Sequence, residues 1–223
     1  MTQEKKSDNA YCDSSSPDLY LASKSPRRAL LLEQLSVDFI VLAVDINESQ
    51  AALEPPNDYV LRMATKKAQQ GFRCLEEANA QAAYTTVLAA DTAVVFNRQI
   101  LGKPRNASNA KQMLSMLSGH SHEVLTAICL PQRQCDGGLR QESRISKTNV
   151  TFRPITEQEI EWYWQTGEPE DKAGGYGIQG KAAQFISHIS GSYSGVMGLP
   201  LFEMSELMSR FGFALSSSRV NKR

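Results

Sequence analysis

The order of apolar and polar residues along the chain predicts alternating strands and helices. Short apolar runs bounded by turn-forming residues predict buried strands, and apolar residues three and four positions apart predict amphipathic helices. The predicted strands are residues 18–23, 39–44, 87–96, 100–101, 123–130, 144–152 and 185–189. The predicted helices are residues 26–36, 58–75, 106–117, 156–164 and a last helix after Pro200. This order, with its late strand pair, predicts an α/β fold with a mixed, twisted sheet flanked by helices.

Turn and capping residues support these boundaries. Gly119 ends one helix, residues 156–159 form a capping box, and a polar loop around Asp136 joins the two late strands. The predicted apolar face of the first helix is Leu30, Leu31 and Leu35. The predicted apolar face of the second helix is Val60, Met63, Ala64, Lys67 and Ala68.

Composition limits the classes of protein that fit this pattern. With 223 residues and 41% hydrophobic content, the chain can form one domain, or one domain in two lobes, with a substantial core. Its 24 basic and 24 acidic side chains cancel, which disfavours binding to nucleic acid through a general electrostatic attraction. The four cysteines form no C-x-x-C pair, which disfavours a zinc site or a disulfide framework.

The distribution of apolar residues along the chain predicts a protein without membrane association. No apolar stretch reaches the length of a membrane span, and residues 1–16 lack the apolar segment of a signal peptide. We therefore expect a cytoplasmic protein with a disordered tail at residues 1–17, a domain at residues 18–213 and a polar tail at residues 214–223.

An electrostatic conflict marks the start of the first predicted helix. Ser25 suits the N-cap and Pro26 suits the first helical position, but Arg27 and Arg28 follow at once. Cations near a helix N-terminus cost about 0.3–1 kcal/mol each, because that end already carries a partial positive charge. An anion such as a polyphosphate on the helix end would remove the conflict. Two solvated arginines on an ordinary helix are the alternative.

A carboxylate interrupts the most apolar strand. Asp91 lies inside the run at residues 87–96, where an ionised group needs a partner or a metal. It could hold a divalent cation or accept a proton from water, and a turn-forming aspartate is the structural alternative.

Two lysines and a glutamate are weaker candidates. Lys67 lies on the apolar side of its helix, either as a lysine at the edge of that stripe or as a phosphate ligand. Lys103 lies in a short loop between Gly102 and Pro104, and Glu48 follows a strand. Taken alone, the ordinary interpretation is the more frequent one for each, namely a lysine at the edge of the stripe for Lys67 and a solvated side chain for Lys103 and Glu48.

A glycine-rich segment at residues 167–180 contains five of the 14 glycines together with Tyr176, Ile178 and Gln179. Apolar side chains among glycines are typical of a backbone that approaches a ligand closely, rather than of a flexible linker. The Gln179 amide offers a donor and an acceptor, which match the O4 acceptor and N3–H donor of uracil or thymine. Cytosine presents the reverse pattern, so buried polar groups would be left unpaired.

Five segments, in order, resemble the motifs of the Maf family of nucleoside triphosphate pyrophosphatases. They are residues 21–28, 90–95, 101–104, 171–180 and 191–200. The likeness spans about residues 18–210. The Ser-Pro-Arg-Arg and Tyr-Gly-Ile-Gln-Gly forms resemble the dTTP/UTP subgroup, and the Trp and Cys-Ala-Gly forms of the 7-methyl-GTP subgroup are absent.

The resemblance implies an α/β protein with a central cleft between two lobes, frequently a homodimer, that hydrolyses nucleoside triphosphates to the monophosphate and pyrophosphate. It implies that Asp91 accepts a proton and that Arg27, Thr92 and Gln179 contribute to base selection. A divalent cation, Mg²⁺ or Mn²⁺, would be held by Glu48 and Asp91 with the substrate phosphates. The implied substrate-binding residues are Ser23, Arg27, Arg28, Lys67 and Lys103.

One departure and two alternatives remain open. The family commonly has Ile-Asp-Glu where this chain has Ile46, Asn47 and Glu48, which puts one carboxylate of the metal site in doubt. The enzyme could act on another or a modified nucleotide. The protein could instead be a nucleotide-binding regulator of cell division without catalysis, although such a binder has no need of Asp91.

Overall fold

The structure is a computed structural model that describes residues 19–78, 85–134 and 136–213. The predicted tails at residues 1–17 and 214–223 lie outside the described residues. Cys12 and Cys135 also lie outside them.

Every predicted strand and helix is present, with shifts of a few residues at the ends. The strands are β1 (Leu19–Ala22), β2 (Phe39–Leu42), β3 (Val87–Phe96), β4 (Gln99–Leu101), β5 (Ser121–Arg133), β6 (Leu139–Phe152) and β7 (Ile186–Ser190). The helices are α1 (Pro26–Gln34), α2 (Pro56–Glu77), α3 (Ala107–Leu117), α4 (Glu157–Gln165), α5 (Tyr193–Met197) and α6 (Leu201–Arg210). The sequence did not predict α5 or the two 3₁₀ turns at Ala173–Gly175 and Lys181–Phe185.

The described strands form one mixed sheet, as predicted, in the order β2-β1-β3-β5-β6-β7, with β4 also paired to β3. Strand β1 pairs in parallel with β2 and β3, whereas the remaining pairs are antiparallel. On one edge of β3, the described pairing with β1 covers Val87 and Leu88, and the pairing with β4 begins at Val94. The stretch between them contains Asp91, so the carboxylate lies where the chain of β1 leaves the sheet.

Apolar clusters cover both faces of the sheet. One packs α1 and α6 against β1 and β3, a second packs α2 against the opposite face, and a third joins α3 and α4 to the β5–β6 end. The predicted apolar stripe of α2 is confirmed, and a Cβ at Gly71 would lie 2.9 Å from Val87, so this helix packs very closely on the sheet.

The predicted face of α1 is wrong at one position. Leu30 is 53% exposed, whereas Leu31 and Leu32 are buried and Leu35 packs against the same cluster. Three consecutive leucines leave the helical phase ambiguous, and it is the later pair that enters the core cluster formed with β1, β3 and α6. None of the helices in the described part of the chain is long and apolar enough to cross a membrane.

Candidate active site

A cavity of about 600 Å³ opens where β1 ends and where one edge of β3 has no partner among the described strands. This volume is in the usual range for a small-molecule site. The turn before α1, the loop after β2, helix α2 and the glycine-rich loop form its walls. All the site residues predicted from the sequence line it, namely Ser23, Arg27, Arg28, Glu48, Lys67, Asp91, Thr92, Lys103 and Gln179.

The cavity is basic although the chain as a whole is neutral. Six lysines and arginines and four carboxylates line it, which leaves a formal charge of +2. The basic side chains are Lys24, Arg27, Arg28, Lys67, Lys103 and Lys172. A local excess of positive charge favours a polyanionic ligand without attracting nucleic acid over the whole surface.

Lys67 joins two carboxylates at one wall of this cavity. Its Nζ lies 2.6 Å from Asp91 Oδ1 and 2.7 Å from Glu48 Oε1. Lys67 reaches them from α2 because it lies at the edge of the apolar stripe, so its aliphatic stem is buried and its amine emerges in the cavity. It contacts one oxygen of each carboxylate.

The two carboxylates differ in basicity. Burial raises the pKa of Asp91, and the charge and hydrogen bond of Lys67 oppose this effect without cancelling it. Burial acts in the same direction on Glu48, but there Lys67, Lys103 and Arg28 together bring the pKa of Glu48 below its usual value. Asp91 is therefore the better proton acceptor of the pair.

The loop that carries Glu48 is fixed to α2. Tyr59 donates its hydroxyl hydrogen to the Glu48 carbonyl oxygen at 3.0 Å. Arg62 forms a two-pronged ion pair with Glu54, with both N···O distances 2.5 Å, and also donates to the Ser49 carbonyl. Helix α2 thus positions both Lys67 and the loop of its second carboxylate partner.

Arg28 turns away from the helix end and connects three parts of the fold. Its guanidinium donates to the Gly198 carbonyl at 2.8 Å, to Ser23 Oγ at 3.1 Å and to Thr92 Oγ1 at 3.3 Å. Since Thr126 donates to the Gly195 carbonyl at 2.7 Å, Thr92 must donate its hydroxyl hydrogen to Thr126, 3.0 Å away.

The expected start of α1 is confirmed, but the cap differs from the usual one. Ser25 occupies the N-cap and Pro26 the first helical position, yet the Ser25 side chain makes no capping hydrogen bond. Ser23 Oγ accepts instead from the Ser25 amide. Arg27 remains at the cavity mouth, a third exposed, with Asp171 at 3.8 Å.

The loops that carry Lys103 and Gln179 meet across the cavity. Gly174 donates its amide hydrogen to the Gly102 carbonyl at 3.0 Å, and both Lys103 and Gln179 are exposed toward solvent. Gly174 has φ of 68°, and a Cβ there would lie 2.9 Å from Val94, so this crossing requires glycine.

Several lining residues were not assigned a role from the sequence. Lys24, Asp45, Asp171, Lys172 and Tyr176 all line the cavity. The signal for the last three was their position beside glycines in the segment at residues 167–180, but nothing in the sequence indicates which of its side chains turn inward.

No group of three or more metal-binding side chains comes together among the described residues. The carboxylates beside Lys67 that could bind a metal ion are Glu48 and Asp91. Asn47, the departure noted in the sequence, is absent from the described lining, and its side-chain oxygen accepts from the Ser49 amide at 2.9 Å.

Comparison with known proteins finds one matching family and similar proteins that cover most of the chain. Residues 18–211 match the family described as Maf-like protein. A dTTP/UTP pyrophosphatase of Colwellia psychrerythraea is 50% identical over 200 residues, which cover 90% of this chain and 91% of that protein. A dTTP/UTP pyrophosphatase of Alkalilimnicola ehrlichii is 46% identical over 195 residues, covering 87% and 93%. The solved Staphylococcus aureus Ham1 protein is 10% identical, covering 86% of this chain and 98% of that one, with a TM-score of 0.41.

Proposed function

Because the chain belongs to the Maf-like protein family, we propose that it hydrolyses nucleoside triphosphates to the monophosphate and pyrophosphate, with dTTP and UTP as substrates. The observation that carries this proposal is the pair of carboxylates joined by Lys67 in a basic cavity. The names of relatives about half identical over most of the chain support the choice of substrates.

Asp91 is the proton acceptor in the proposed reaction. A water attacks the α-phosphorus, its proton passes to Asp91, and the bond from that phosphorus to the bridging oxygen breaks, so pyrophosphate leaves. Burial favours this role because it raises the pKa of Asp91, and Lys67 holds the carboxylate in position at 2.6 Å.

A divalent cation fits the donor set only with the help of the substrate. Mg²⁺ is commonly held by one or two carboxylates together with substrate phosphates, and Lys67 engages only one oxygen each of Glu48 and Asp91. We therefore assign these two residues as ligands for Mg²⁺ or Mn²⁺. When bound, the cation would neutralise phosphate charge and polarise the P–O bonds.

The basic residues stabilise the charge that develops on the departing pyrophosphate. Arg27, Lys67 and Lys103 present cationic groups to the cavity. Arg28 contributes charge from a fixed position, because three of its donors are already engaged, one of them by the Ser23 hydroxyl.

Gln179 reads the pyrimidine edge in this proposal. Its amide pairs with the O4 and N3–H groups shared by uracil and thymine. Thr92 contributes through Arg28 and through its remaining lone pair, since its hydroxyl hydrogen is directed to Thr126. Arg27, a third exposed in the cavity lining, contacts the base or the sugar in this proposal.

A substrate panel with pyrophosphate detection, run with Mg²⁺ and with Mn²⁺, tests this function. We expect turnover of dTTP and UTP, little turnover of CTP, and loss of pyrophosphate release by about a hundredfold or more in Asp91→Asn with the melting temperature retained. Asp45→Asn is the matched control, because Asp45 lines the same cavity but is exposed and pairs only loosely with Lys24.

Near-normal turnover by Asp91→Asn would refute the proton-acceptor role. Binding of UTP without any pyrophosphate release would favour a nucleotide-binding regulator instead. Turnover confined to modified nucleotides would mean that these, rather than dTTP and UTP, are the substrates. A cytoplasmic homodimer is proposed with the function, and sedimentation of the purified protein tests the dimer.

A further inference from the structure

Gln179 lies between two 3₁₀ turns rather than in a strand, and two side chains outside the cavity lining hold its loop. We propose that Glu168 and Tyr163 are positioning residues that fix Gln179 and thereby determine which pyrimidine base the site accepts. This inference rests on the proposed base-reading role of Gln179.

Glu168 accepts hydrogen bonds from the backbone that follows Gln179. Its carboxylate accepts from the Lys181 amide at 2.8 Å and from the Ala182 amide at 3.5 Å. It also accepts from the Tyr163 hydroxyl at 2.8 Å. A single carboxylate thus joins a helix side chain to the C-terminal side of the loop.

Tyr163 holds the other side of the same loop. Its hydroxyl oxygen accepts from the Gly177 amide at 3.3 Å while its hydrogen is donated to Glu168. Burial, followed by the hydrogen bond to Glu168, raises the pKa of Tyr163, so the hydroxyl keeps its hydrogen. Gln179 is therefore bracketed by two residues that are bonded to each other.

The Tyr163 side chain that anchors this loop is buried and closely packed. Tyr163 is fully buried in α4, with its ring 5.4 Å from that of Phe185 in an edge-to-face arrangement. The capping box of Thr156 and Glu159 fixes the start of the helix, and Arg153 forms an ion pair with Glu159.

The glycine spacing in the loop follows from these contacts. A Cβ at Gly180 would overlap the Glu168 carboxylate, and a Cβ at Gly177 would lie 2.7 Å from Lys172 Cε. The Lys172 Nζ in turn donates to the Glu168 carbonyl at 2.8 Å. A side chain at either position would displace the group below it, so glycine lets the backbone pass directly over its tether.

Firm positioning matters for base selection because a glutamine amide can turn over. In the reversed orientation the Gln179 amide presents the donor and acceptor that cytosine needs. Discrimination against cytosine therefore depends on a loop that holds the amide where only one orientation fits the base.

The test compares Glu168→Gln and Tyr163→Phe with wild type in two measurements. The first is the ratio of kcat/KM for UTP to that for CTP. The second is hydrogen exchange at the amides of residues 177–182. Glu170→Gln is the matched control, because Glu170 is exposed in the same segment. Tyr163→Phe keeps the buried ring, so it provides a result even if Glu168→Gln does not fold.

We expect each variant to lower the UTP-to-CTP ratio by about tenfold and to speed exchange in this segment, with the control unchanged. A ratio that stays unchanged, whether or not both activities fall together, would overturn the proposal and leave Glu168 a purely structural residue. Equal turnover of UTP and CTP by wild type would instead refute base reading by Gln179, and the exchange measurement would still decide whether Glu168 holds the loop.

Discussion

Mild acid is expected to destabilise this protein through one buried histidine. His122 in β5 is only 2% exposed and packs edge-on against the rings of Phe152 and Tyr176. Its Nε2 lies 2.7 Å from the Tyr176 hydroxyl, and its Nδ1 finds no hydrogen-bond partner among the described residues. Burial lowers the pKa of His122 from 6.5 to about 4.

The sign and size of the effect follow from proton linkage. Below pH 6.5 the histidine of the unfolded chain binds a proton that the folded protein does not bind until about pH 4, so stability falls across that window. With these values the free energy of unfolding drops by about 2 kcal/mol between about pH 7.5 and about pH 5. Below the folded pKa the loss levels off.

His122→Gln isolates this contribution, because glutamine keeps a side chain that can form hydrogen bonds but cannot titrate. Urea unfolding followed by the fluorescence of Trp162 and Trp164 gives the free energy of unfolding at each pH. Wild type should lose about 2 kcal/mol more than the variant on acidification to about pH 5. Contributions from carboxylates, including the opposite one from the raised pKa of Asp91, are common to both proteins and cancel.

His188→Gln is the control, since His188 is exposed on β7 and its replacement should leave the wild-type pH dependence in place. Parallel loss of stability in wild type and His122→Gln would refute the reasoning. It would mean that His122 accepts its proton in the folded state with no cost from burial.

Three further predictions concern the cavity. A triphosphate should raise the melting temperature of wild type more than that of Arg27→Ala or Arg28→Ala, and Arg28→Ala alone should also melt lower without ligand because it loses three hydrogen bonds; equal shifts in all three proteins would argue against phosphate contacts. Gly180→Ala should lower the free energy of unfolding by about 1–3 kcal/mol in urea titrations, whereas Gly102→Ala, with nothing within 4 Å of its new Cβ, should be nearly neutral. EDTA should abolish pyrophosphate release, and Mg²⁺ or Mn²⁺ should restore it, while the melting temperature without nucleotide stays unchanged, because the cavity has no preformed cage of three or more ligands among the described residues.

The fold was largely predictable because its strands and helices carry strong periodic signals. The bounds of β3 match the predicted run, and the capping box at the start of α4 is present. The β5–β6 hairpin is longer than predicted, since its outer part carries polar residues such as Arg140 and Gln141 that do not read as an apolar run. Helix α5 is too short for any periodicity to show.

The nine site residues predicted from the sequence all line the cavity, but their contacts, and five further lining residues, were not predicted. Asp91 stood out because a carboxylate in an apolar strand conflicts with its surroundings, and Lys67 because a charge lay on an apolar helix face. That one amine joins Asp91 to Glu48 depends on the register of α2 against β3, which no local pattern encodes. The partnership of Tyr163 with Glu168 was equally hidden, because both residues look ordinary in a helix end and a loop.

The two arginines after Pro26 show how a local conflict can have a distant cause. The helix dipole disfavours both, yet Arg28 makes its contacts outside the helix, with the Gly198 carbonyl and the Thr92 hydroxyl. Those bonds hold the end of α5 and the open edge of β3 to the start of α1, so the charge that is unfavourable for the helix closes the cavity wall. Among the residues that the structure describes, the ion-pair partner of Arg27 is Asp171 at 3.8 Å, and Arg27 stays a third exposed. Of the two, Arg27 has fewer internal contacts, so an incoming anion would relieve its conflict more, and we expect a phosphate group to meet Arg27 before Arg28.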